Sequence, residues 1–133
     1  MDAADAPRGA DDEGSSPVEF VLVGTLLTAL TLVVLQFGLS VYLRNVVHDA
    51  AVDGAYHAAL ADTTLADGAA RAREIVTRTV GEGFVTDAVA TPTSAFGAPA
   101  VEVTVTATLP LLGVWGLPGG MEVTAHAPQE SFE

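Results

Sequence analysis

The hydrophobic pattern of this chain changes character three times. Residues 1–14, MDAADAPRGADDEG, carry no apolar period and are acidic, a composition that predicts disorder rather than an element. Residues 20–43 then hold no Asp, Glu, Lys, Arg or His. As a helix, a run of that length covers about 36 Å, enough to cross a hydrocarbon core about 30 Å thick with some tilt. Gly24, Thr25, Thr28, Thr31, Gln36, Gly38 and Ser40 soften the run without breaking it. Threonine hydroxyls bond back to the preceding turn, and small residues let a second helix approach closely. The run therefore reads either as a simple anchor or as a helix-packing surface.

Past Leu43 the period stays helical while the residues shrink. Val47, Ala50, Ala51, Ala55, Ala58 and Ala59 recur at helical spacing, with Asp49, Asp53, His57 and Asp62 as polar interruptions. The pattern predicts one continuous helix over residues 17–61, with Gly54 as a weak point costing up to about 1 kcal/mol relative to alanine. Its second half should lay its small-residue face on a sheet. A shorter helix is predicted from residue 67 or 68 to residue 80, with Asp67 as N-cap and Gly81 and Gly83 as exits.

Strand alternation follows. Residues 84–91 form a possible strand, residues 92–99 a turn-rich loop, and residues 100–108 (AVEVTVTAT) the clearest strand. There Val101, Val103, Val105 and Ala107 point one way and Glu102, Thr104, Thr106 and Thr108 the other. MEVTAHA, residues 121–127, repeats the alternation and should pair with it. Between them PLLGVWGLPGG is an apolar loop holding the only tryptophan. It reads either as a lid over the small core or as a tip contacting a partner or membrane through Leu111, Leu112 and Trp115. The fold class is α+β: a long N-terminal helix, transmembrane in its first half, packed through its second half with a short helix on a small antiparallel sheet.

Charge narrows the function. With 17 acids against five arginines and no lysine, the net charge is −12. Nucleic-acid binding, which rests on basic contacts to phosphate, is excluded, and no polybasic patch meets anionic lipid heads. The absence of cysteine excludes disulfides and thiolate zinc sites. An acidic leader before so long an apolar run fits an ordinary secretory signal poorly. A conventional cut at Gly38-Leu39-Ser40 is disfavoured because the helical pattern runs straight through it. Arg8 and Arg44 flank the run with acids near both, so charge alone gives no orientation.

Candidate chemistry is sparse. Asp49, Asp53 and His57 share a helix face, with His48 nearby, yet such a set is the usual content of a solvated face, and no metal is expected. Ser94 and His126 lack the glycine-framed turn of a nucleophile, and no phosphate-cradling or dinucleotide fingerprint occurs. No catalytic residue and no cofactor are assigned; the chain reads as a structural part, not an enzyme.

The stretch GSSPVEFVLV, residues 14–23, raises a sharper question, because Glu19 stands at the edge of the apolar run. One reading is local: Ser16-Pro17-Val18-Glu19 is a capping box with proline in the first turn, in which glutamine would serve as well. The other comes from resemblance. Gly14, small residues, then Val18-Glu19-Phe20 before a long apolar helix resembles the processing signal of type IV pilin-like proteins. GSSPVEFVLVGTLLTALTLVVLQFG is similar to the N-terminus of the TadE/TadG-like pseudopilins of tight-adherence (Flp) pili. A compositional likeness continues through RNVVHDAAVDGAYHAAL and DGAARAREIV to the paired strands at the end.

The resemblance implies that a prepilin peptidase cuts after Gly14, leaving Ser15 as the new N-terminus. Glu19 would be the fifth mature residue, and Glu19 and Phe20 would take part in assembly. It further implies a cytoplasmic leader (residues 1–14), a transmembrane part (15–43) in the cell membrane and an exported α+β domain (44–133). Expected partners are the prepilin peptidase, other pilin or pseudopilin subunits, and pilus or secretion platform proteins. The expected function is that of a minor pilin or pseudopilin. The alternative is an unprocessed single-pass anchor for a domain that binds a ligand or partner through residues 110–120.

Overall fold

The computed structural model describes residues 14–95, 97–112 and 115–131, without the side chains of Leu112 and Trp115; the leader expected at residues 1–13 lies outside the described residues. Its elements are α1 (Ser15–Ala59), α2 (Leu65–Val80), β1 (Val85–Ala95), β2 (Ala98–Leu112) and β3 (Trp115–Pro128). The three strands form one antiparallel sheet in the order β1-β2-β3. The class is α+β, and α1 runs for 45 residues. The chain divides into two units, residues 1–35 and 36–133.

In the first unit, no described residue covers α1. Its valines, leucines and phenylalanine are exposed from Val18 to Leu35. The hydroxyls of Thr25, Thr28 and Thr31 donate to the carbonyls of Val21, Gly24 and Leu27 at 2.7–2.8 Å. Each threonine thus satisfies its hydroxyl inside the helix, as an apolar medium requires.

The second unit has a core of small side chains. Leu43, Val47, Ala50, Ala51, Ala55, Ala58 and Ala59 of α1 join Ala72 and Val76 of α2. The sheet contributes Val101, Val103, Val105 and Ala107 from β2, and Met121, Val123, Ala125 and Ala127 from β3. The expected alternation holds on both strands, and the register pairs Val103 with Ala125 and Val105 with Val123.

Gly54 is not the weak point that propensity suggests. A Cβ there would lie 2.6 Å from the Gly68 carbonyl oxygen, and a Cβ at Gly68 would lie 2.3 Å from the Ala58 Cβ. The two glycines let α1 and α2 touch backbone to backbone, and that close packing offsets the propensity cost.

α2 starts earlier than expected. Thr64, not Asp67, is the N-cap: its hydroxyl accepts from the Asp67 N–H at 3.2 Å, while the Asp67 carboxylate accepts from the Thr64 N–H at 2.9 Å. Asp67 is the third-position partner of a capping box. These hydrogen bonds, the backbone one foremost, hold its carboxyl below the usual aspartate range.

The strands also exceed their predicted lengths. The expected loop at residues 92–99 is mostly ladder, with Pro92 opposite Val101 and Gly97 turning at φ 81°. Pro92 is tolerated because β1 is an edge strand. Likewise the expected loop 110–120 is a continued hairpin, pairing Leu109 with Leu117, Pro110 with Gly116 and Leu112 with Trp115. Irregularities between Ala107 and Leu109 and between Pro110 and Leu112 accommodate the proline and glycines that suggested a loop.

Candidate functional site

Gly14 stands in a turn immediately before the helix, and Ser15 is its first residue. Ser16 is therefore already helical. An N-cap must lie outside helical geometry to present its side-chain oxygen to the free N–H groups, so the capping box expected at residues 16–19 does not form. Among the described residues, Glu19 has neither hydrogen bond nor ion pair. The contrast with Thr64 and Asp67, which make both bonds of such a box, is direct.

Glu19 is exposed, and next to it Phe20 is 79% exposed. One turn further, Gly24 leaves a shallow apolar trough along the helix, lined by Phe20, Val21, Thr25, Thr28 and Leu32. Among the described residues, nothing would touch a Cβ added at Gly24. Among the described residues, a carboxylate without a partner thus sits beside an apolar helical surface without a cover. α1 is long and apolar enough to cross a membrane.

The second predicted site, the β2–β3 hairpin, exposes half of Leu111 and of Leu117; the side chains of Leu112 and Trp115 lie outside the described residues. Sequence reasoning missed what anchors this hairpin: the Gln36 side-chain amide donates to the Pro110 carbonyl at 2.8 Å. The available signal was a lone amide inside a long uncharged run.

The remaining candidates are dispersed. Asp53 faces Arg71 at 3.5 Å, and among the described residues no group of three potential ligands that could hold a metal ion comes together. Ser94 pairs across the ladder with Pro99, whereas His126 Nε2 lies 2.8 Å from Glu102 Oε2 on another rung. The serine and the histidine are not brought together.

One comparison bears on this geometry. Residues 14–55 match the TadE-like protein family. The TadE-like segment starts on Gly14, takes in Glu19 and Phe20, follows α1 through its exposed stretch and ends among the buried alanines. The likeness seen in the sequence holds over that segment, about a third of the chain. No curated protein and no solved structure matches the chain.

Proposed function

We propose that the protein is a minor pilin or pseudopilin of a tight-adherence type pilus or a related secretion system, assembled through α1 after a prepilin peptidase cuts between Gly14 and Ser15. The observation that carries this reading is the start of the TadE-like match on Gly14, directly before a helix whose Glu19 has no partner among the described residues. Hydrolysis of the Gly14–Ser15 peptide bond frees an ammonium group on Ser15. As subunits pack helix against helix, that ammonium meets the Glu19 carboxylate of a neighbour. An unpaired carboxylate costs about 2.5–3.5 kcal/mol at the bilayer centre and less near the boundary, so subunits out of register are disfavoured. Glu19 thereby marks register, while Phe20 and the Gly24 trough supply the contact. The leader stays cytoplasmic, and the domain from residue 44 onward is exported to meet other pilus or secretion components.

The test is Glu19→Gln, followed by membrane insertion, processing, and recovery with the other pilin subunits in pulled-down assemblies. The variant should insert and be cut like wild type yet be depleted from assemblies. Recovery equal to wild type would show that no charge pairing occurs there.

A further inference from the structure

The hairpin tip carries a second feature that the pilin reading does not use. Between Glu102 and Glu122 no Asp, Glu, Lys, Arg or His occurs, in a chain whose net charge is −12. Within that stretch Leu111 and Leu117 are each half exposed. Such an uncharged, leucine-bearing tip is out of keeping with the acidic remainder of the molecule.

The Gln36–Pro110 hydrogen bond says where this tip lies. Gln36 is eight residues before Arg44, the first charge after the apolar run, which along a helix is about 12 Å. Counting from the other end, the roughly 20 residues that cross a hydrocarbon core run from Phe20 to Leu39. Gln36 then lies about 4.5 Å inside the core edge. Either way Pro110 is held at or below the boundary between acyl chains and headgroups. Nearby, Leu109, Gly120 and Met121 line a hollow with Ser40, Val41 and Arg44, so the hairpin follows α1 along this level.

We propose that the β2–β3 hairpin around Pro110 is seated in the outer boundary of the lipid bilayer beside α1, with Leu111 and Leu117 among the acyl chains. The proposal rests on the reading of α1 as a membrane span. Interfacial elements bury their apolar faces by about 5–10 Å, which matches the depth set by Gln36. Composition fits the medium. Pro110 and Pro118 have no N–H to leave unpaired, and Gln36 occupies the Pro110 carbonyl. A pilus partner covering the same leucines is the competing occupant.

Because the chain has no cysteine, single-cysteine variants of the full chain report depth without background. Leu117→Cys, Val33→Cys within the span and Thr124→Cys on the exposed sheet face are each labelled with a small fluorophore and reconstituted in phosphatidylcholine vesicles containing lipid brominated near the headgroup end of its acyl chains. Leu117→Cys should be quenched several-fold more strongly than Thr124→Cys and be protected from aqueous iodide. Equal behaviour of positions 117 and 124, with position 33 still quenched by lipid, overturns the seated tip while leaving the span intact. If position 33 is not quenched either, the membrane reading itself fails, and this proposal with it. Protection at position 117 that appears only on adding other pilin subunits also overturns the proposal, in favour of a protein partner.

Discussion

Between residues 18 and 34, α1 leaves every valine, leucine and phenylalanine more than half exposed, whereas between residues 43 and 59 it buries Leu43, Val47 and six alanines and glycines. The more hydrophobic stretch of the helix is thus the one that no other described residue covers. Apolar character alone does not build a core. In the second stretch small side chains let α2 and the sheet come close, down to the backbone contact at Gly54 and Gly68. In the first, large apolar side chains surround the helix except along the trough at Gly24, and no charged face accompanies them, as on a helix solvated by lipid or by other helices. One helix thus joins an exposed apolar stretch to a packed one, with Glu19 near the start of the exposed stretch.

Charge substitutions should separate the two stretches most sharply. Val47 is fully buried, so Val47→Asp should unfold the domain, an uncompensated buried charge costing about 3–5 kcal/mol. Leu30→Asp should leave the thermal midpoint of the domain unchanged while lowering membrane insertion, at about 2.5–3.5 kcal/mol for an aspartate at the helix centre. Calorimetry and a flotation assay read the two outcomes; loss of the domain fold in Leu30→Asp would break the division.

Glycines give the next contrast. Gly68→Leu should lower stability by about 1–3 kcal/mol through overpacking, because the Ala58 Cβ and a backbone carbonyl occupy the space. Gly24→Ala, with open space around it, should leave the midpoint of the isolated chain in place. A drop comparable to that of Gly68→Leu would mean that the first stretch packs within the chain after all.

Smaller still is the capping pair. Thr64→Ala should cost about 1 kcal/mol, seen in chemical denaturation. The hydrogen bonds with Thr64 keep the Asp67 carboxyl below the usual aspartate range in the folded chain. Its contribution is therefore fully present above the unfolded value and is lost as pH falls through the folded one. The acid limb of the stability profile below about pH 4 should shrink in Asp67→Asn. Least is expected of Glu102→Gln, whose partner His126 is a partly exposed neighbour. Exposed pairs contribute about 0–1 kcal/mol, and a midpoint shift near the limit of detection is the outcome to look for.

These contrasts also show which parts of the fold were legible beforehand. The length of α1 and the faces of β2 and β3 followed from periodicity, because burial on one side imposes a period on the residues. The pairing of Thr64 with Asp67 and the meeting of Gly54 with Gly68 did not. A cap depends on one residue's backbone geometry, and a glycine reads as weakness until its neighbour is known. Prolines misled in the same way: Pro92 and Pro110 suggested loops because their tolerance on an edge strand or at a ladder irregularity depends on which strand lies beside them. For the site, Gly14 and Glu19 were readable as a motif, and the family match begins on the first of them. What could not be read was that Ser16 falls inside the helix, so that the local explanation of Glu19 lapses. The hydrogen bond between Gln36 and Pro110 joins residues 74 positions apart, beyond any local pattern.

The central claim is that the carboxylate of Glu19 awaits an ammonium group made by cutting the chain at Gly14. An intact-mass measurement on the protein extracted from its native membrane tests this most directly. The account predicts a polypeptide that starts at Ser15 and lacks the mass of residues 1–14; a polypeptide that still carries those residues would contradict it.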